Sequence, residues 1–130
     1  MEFIKTLSPL YELVIWTASA KPYADIVINH IDPGGKYFSG RLYREACLRY
    51  DGIYIKDLKR LGRGMESVVL LDDHVYSFGL TLDNGVLISP WTGDKDDSSL
   101  FEAFQLLECV ANVSDVRVPL IQTYNFYKKL

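Results

Sequence analysis

Apolar residues in this chain come in two arrangements, repeats at helical spacing and short uninterrupted runs. Phe3, Ile4, Leu7 and Leu10 recur at helical spacing and predict a helix that Pro9 closes. Leu13-Val14-Ile15-Trp16 is a continuous apolar run of the kind that forms a parallel strand covered on both faces. Ser19 is placed to cap a second helix with Pro22 in its first turn and Ile26, Val27 and Ile31 as its apolar side. Asp32-Pro33-Gly34-Gly35 then stops that helix.

The stretch from Tyr37 to Tyr43 is polar-aromatic and reads as extended, and Ile53-Tyr54-Ile55 follows an Asp51-Gly52 turn signal as another strand. Val68-Val69-Leu70-Leu71 ends abruptly at Asp72-Asp73, and Val86-Leu87-Ile88 follows Asn84-Gly85. Asp96 or Asp97 can cap a helix carrying Phe101, Phe104, Leu106 and Leu107, and a last helix is expected between Pro119 and Leu130. Apolar strands alternating with helices predict a mostly parallel α/β sheet. In such folds ligands gather at the carboxyl ends of strands, which is where Thr17 and Asp72 fall.

At 130 residues, 48% hydrophobic and 24% charged, the chain has the length and composition of one globular domain. Its net charge of −3 leaves no basic surplus for general nucleic-acid binding, although one phosphate pocket remains compatible with it. Cys47 and Cys109 are too few for a disulfide framework and lack metal-ligand spacing, so a reduced intracellular protein is expected. No apolar run is long enough for a membrane segment, and the first residues show no secretory leader.

Taken alone, Thr17 reads as a turn residue, Lys56 as a solvated charge and Asp72-Asp73 as the end of a strand. Together the motifs say more. Trp16-Thr17-Ala18-Ser19 with Tyr23-Ala24-Asp25 resembles the second motif of the small C-terminal-domain phosphatases and their Dullard-like relatives, the NLI-interacting-factor-like domain. Arg41 to Cys47, Tyr54-Ile55-Lys56-Asp57-Leu58 and Leu61-Gly62-Arg63 are similar to the third block, and Val69-Leu70-Leu71-Asp72-Asp73 to the fourth. Asp83-Asn84-Gly85, Pro90-Trp91 and Asp115-Val116-Arg117 extend the likeness, which runs from about Phe3 to Arg117.

The resemblance implies a Rossmann-like core of the haloacid-dehalogenase superfamily, a Mg²⁺ ion and an aspartyl-phosphate mechanism on a Ser/Thr-phosphorylated protein or peptide. It implies that Thr17 hydrogen-bonds the transferring phosphoryl group and Lys56 neutralises its charge. Asp72, with Asp73 beside it, supports the metal, and Tyr23 and Arg44 contact the phosphopeptide. Phosphoryl transfer is consistent with such a set, since it rests on electrostatic stabilisation of the equatorial oxygens. His74 reads as a partly exposed loop histidine and Cys47 as a buried apolar residue, not a nucleophile.

One motif is absent. The superfamily's Asp-x-Asp-x-Thr, whose first Asp is the nucleophile, occurs nowhere in the sequence, and Asp94-Lys95-Asp96 lacks both the preceding strand and the following Thr. Residues 1–130 are therefore expected to be a single incomplete, N-terminally truncated domain whose first central strand is missing. It should be inactive alone, with strand edges open to self-association or to a strand-completing partner. A nuclear or cytoplasmic phosphatase is the first reading. The alternative is a non-catalytic binding module, for which the mitochondrial inner-membrane translocase subunit of the same family is the type.

Overall fold

In the computed structural model, which describes residues 2–89 and 99–124, the chain divides into two units, one ending at Lys56 and the other beginning at Asp57. In the first, α1 (Glu2–Leu7) ends where Leu10 and Tyr11 return their backbone N–H groups to the Leu7 carbonyl, with Pro9 in the turn. β1 (Leu13–Trp16) runs parallel to β2 (Phe38–Leu42), pairing Val14 with Gly40, Ile15 with Arg41 and Trp16 with Leu42. The crossover between them is α2 (Lys21–Ile31), so the expected βαβ alternation is present.

Two expectations for α2 are corrected. The N-cap is Ala20, with no side-chain hydrogen bond. Ser19 lies one residue before the cap, and its N–H donates to Thr17 Oγ1 at 3.0 Å. The buried face carries Ala24 and Ile28, packed with Tyr43 and Ile15, whereas Ile26 and Val27 are 71% and 59% exposed. A helix with apolar residues on two sides can bury only the one that meets the strand pair. β1 is likewise less covered than its apolar run predicts, since Val14 is exposed.

The stop after α2 is built by Asp32, which is 2% exposed and accepts backbone N–H groups from Lys36, Tyr37 and Phe38 at 2.9–3.1 Å. Gly35 takes a positive φ of 62° in this turn, a conformation without penalty only for glycine. A short turn of 3-10 helix (Arg44–Ala46) leads to an antiparallel hairpin of β3 (Leu48–Tyr50) and β4 (Ile53–Ile55). Asp51 and Gly52 form its two-residue turn with φ of 52° and 79°, the paired positive angles that match the strand twist. The turn signal was visible in the sequence, but β3 is too short and polar to be read as a strand.

In the second unit β5 (Leu70–Asp72) runs parallel to β6 (Gly85–Leu87), with Asp72 opposite Leu87. Two short 3-10 turns, Val75–Phe78 and Leu82–Asn84, connect them in place of an α-helix. Phe78, 1% exposed, is the largest wholly buried side chain among the described residues, and burial of such a ring stabilises the fold by about 2–3 kcal/mol. Buried Asn84 donates through Nδ2 to the carbonyls of Met65 and Val68 at 2.6 and 2.8 Å, pinning the segment that enters β5. α4 (Arg117–Tyr124) packs on the Leu82–Asn84 turn and β6, with Leu120 buried. α3 (Ser99–Val110) buries Ala103, Leu107 and Val110, while Phe101, expected on its apolar side, is exposed. The expected caps Asp96 and Asp97, with Pro90-Trp91 and the charges at Asp94 and Lys95, lie outside the described residues.

The class is therefore α/β, with two parallel strand pairs and one antiparallel hairpin among the described residues. Each pair is its own two-stranded sheet, so β1 has β2 and β5 has β6 as the described partner.

Candidate functional site

Thr17 follows the last residue of β1, and its N–H donates to the Leu42 carbonyl at 2.9 Å, extending the β1–β2 ladder by one step. Its Oγ1 accepts the Ser19 N–H, a local turn that fixes the hydroxyl at the strand end. An oxygen that accepts there keeps its own proton for donation, which is what a phosphoryl oxygen requires. Arg44 closes the same loop from the other side. Its backbone N–H donates to the Ser19 carbonyl at 3.1 Å, and its Nε donates to the Ala18 carbonyl at 2.8 Å. Cys47 Sγ lies 3.8 Å from the Thr17 carbonyl and 3.9 Å from that of Tyr43, a packed thiol lining the loop.

Tyr23 sits in the first turn of α2 with its ring exposed. Lys56 directly follows β4 and is half-buried. In the first unit the structure thus ties Thr17 to Arg44 through a shared loop, with Tyr23 on α2 and Lys56 directly after β4.

Asp25, to which sequence reasoning assigned no role, gathers three side-chain donors in that unit. It accepts from Lys21 Nζ, from the Tyr43 hydroxyl and from Arg41 Nη1, the last at 3.0 Å. Arg41 Nη2 also reaches Asn29 Oδ1 at 2.9 Å. The Lys21 hydrogen bond, then that from Tyr43, hold the Asp25 carboxyl down to about 2. The Lys21–Asp25 spacing of four residues on a helix was a readable signal; the Arg41 and Tyr43 contacts are tertiary. At Asp32 burial works against ionisation, but the three backbone donors outweigh it and keep the carboxyl below its ordinary value.

In the second unit Asp72 closes β5 with its side chain buried, and its Oδ1 accepts the His74 N–H at 3.1 Å. The Asp72 carbonyl takes the Ile88 N–H at 3.0 Å. Asp73 is half-buried and lies 3.7 Å from Nε2 of the exposed His74. Among the described residues no three His, Cys, Asp or Glu side chains converge. A lone strand-end carboxylate with a second beside it fits Mg²⁺ as an ion that keeps waters and phosphate oxygens, and does not fit a closed protein cage. No helix among the described residues is long and apolar enough to cross a membrane.

Residues 1–117 match the family model described as NLI interacting factor-like phosphatase. The chain is 40% identical over 127 residues to CTD small phosphatase-like protein 2 of Dictyostelium discoideum, covering 98% of this chain and 22% of that relative. It is 36% identical to a probable C-terminal domain small phosphatase of the same organism, covering 95% of this chain and 40% of the relative. It is 37% identical to the human carboxy-terminal domain RNA polymerase II polypeptide A small phosphatase 1, covering 88% and 44%. The chain therefore spans less than half the length of these relatives. With a family match running from the first residue through Asp115-Val116-Arg117, the chain belongs to the NLI interacting factor-like phosphatases.

Proposed function

We propose that these 130 residues carry the phosphate-receiving part of a protein Ser/Thr phosphatase domain, and that the chain alone binds a phosphorylated peptide without turning it over. The observation that carries this reading is the Thr17 loop. A hydroxyl is fixed at a strand end by the Ser19 N–H, in a loop that Arg44 closes through the Ala18 and Ser19 carbonyls, inside a family match that runs across both units. Because that match crosses the boundary at Lys56 and Asp57, we take residues 1–130 as one incomplete domain.

Thr17 donates to a phosphoryl oxygen, and the Lys56 ammonium balances its charge. Tyr23 and Arg44 flank the peptide. In the second unit Asp72, with Asp73 beside it, would hold Mg²⁺, an ion that keeps waters and phosphate oxygens as its other ligands. Turnover also requires an in-line nucleophile, and the sequence contains no Asp-x-Asp-x-Thr to provide one. The human relative's name points to a peptide of the RNA polymerase II carboxy-terminal domain as the substrate class, and with it to a nuclear or cytoplasmic setting.

The test is titration of a phosphoserine peptide and its unphosphorylated twin into the chain, with and without Mg²⁺. Phosphorylation should tighten binding about tenfold, and Thr17→Val or Lys56→Ala should remove most of that gain. Asp72→Asn should abolish any further gain from Mg²⁺, and no phosphate should be released. Equal binding of the two peptides, or steady hydrolysis, contradicts the proposal.

A further inference from the structure

The β3–β4 hairpin has two unlike faces. Leu48 pairs with Ile55, Arg49 with Tyr54 and Tyr50 with Ile53. Because successive side chains alternate, Leu48, Tyr50, Ile53 and Ile55 share one face while Arg49 and Tyr54 share the other. Lys56, two residues beyond Tyr54, keeps the period of that second face.

Arg44 joins it from outside the hairpin. Its guanidinium lies 5.6 Å from the centroid of the Tyr54 ring, and that of Arg49 lies 5.8 Å away. Aromatic rings attract cations, so one ring collects two guanidinium groups. Their surroundings differ from those of Arg41, whose guanidinium is taken up by Asp25 and Asn29. Arg44 commits Nε to the Ala18 carbonyl, and neither Arg44 nor Arg49 meets a carboxylate among the described residues. Both are exposed. Two like charges gathered on one ring raise the positive potential around it, so an oxyanion beside the ring is attracted by both, and each fork offers paired N–H donors.

We propose that Arg44, Tyr54 and Arg49 form a second oxyanion subsite, one that takes a second phosphate of the same phosphopeptide. This deepens the phosphate-receiving reading above and rests on it. A strand rise of about 3.3 Å per residue sets Lys56 roughly 7 Å along from Tyr54, about two residues of an extended peptide. The preferred substrate is therefore a peptide with clustered phosphates, in which an acidic side chain serves as a weaker second anion. With a net charge of −3 the chain has no general basic excess, which favours this local anion contact over a nucleic acid.

The experiment is fluorescence anisotropy with the 130-residue chain and one peptide sequence in several forms. These are unphosphorylated, singly phosphorylated, doubly phosphorylated with the second phosphoserine two residues to either side, and singly phosphorylated with Glu at that second position. A single-stranded oligonucleotide of matched charge completes the set. One of the doubly phosphorylated forms should bind about tenfold tighter than the singly phosphorylated one, the Glu form about threefold tighter, and both gains should shrink with added salt. Arg49→Gln should cut the ratio below about twofold, and Arg49→Glu should invert it. Circular dichroism checks that these surface variants stay folded. No gain from a second phosphate, a gain that survives Arg49→Gln, or tighter binding of the oligonucleotide each overturns the subsite. If the first phosphate adds nothing while the Arg49-dependent gain remains, the reading of Thr17 and Lys56 fails and the subsite stands.

Discussion

Single side chains in this protein act by committing backbone or charge at a few points. Asp25 is the clearest case, because donors from Lys21, Arg41 and Tyr43 converge on one carboxylate. Its folded value of about 2 lies below the ordinary 3.8, so the ionised form is the one the fold favours. The stability it contributes is present above pH 4 or so and is lost as the pH falls toward 2. Thermal melting followed between pH 5 and 2.5 should show that loss, and Asp25→Asn should flatten the dependence over the same window. Gly85 commits space instead. A Cβ added there would stand 2.7 Å from Cδ2 and Cε2 of Phe78, a ring with no room to withdraw. Gly85→Ala should therefore destabilise the second unit by about 1–3 kcal/mol, read as a lower urea midpoint. If the midpoint is unchanged, the packing of Phe78 against β6 is looser than described.

Elements show where local pattern and packing part company. α2 has apolar residues on opposite sides, and the pattern alone cannot say which side is covered. Ala24 and Ile28 were chosen by the strand pair beneath them, leaving Ile26 and Val27 outside. Its N-terminus is also weakly finished, since Ala20 has the extended backbone of a cap but no side-chain acceptor. Ala20→Asp should add about 0.5–1 kcal/mol, toward the low end because Pro22 offers no N–H. A rise in melting temperature without change in peptide affinity is the expected result. Among the strands, β1, β4, β5 and β6 were legible as apolar runs or turn signals, and β2 as an extended stretch. β3 was not, because three residues with Arg at the centre carry no period of their own and exist as a strand through pairing with β4.

At the scale of the whole molecule, the described strand pairs leave β1 and β5 with a single partner each. Such edges offer unpaired N–H and carbonyl groups to another chain. Light scattering should show concentration-dependent association, reduced by Val14→Lys, which puts a charge on the exposed position of β1. A monomer at every concentration would remove the case for a strand-completing partner. The sequence by itself determined the α/β class, the family, and the positions of Thr17 and Asp72 at strand ends, because strand runs and motif spacing are local and survive without a fold. Only the tertiary structure decided which face of α2 is buried and that Asp25 draws Arg41 and Tyr43. It alone decided that Arg44 bridges the Thr17 loop while Arg49 shares the Tyr54 ring with it. Those contacts join residues distant along the chain, and no periodicity in a sequence records which distant residues meet.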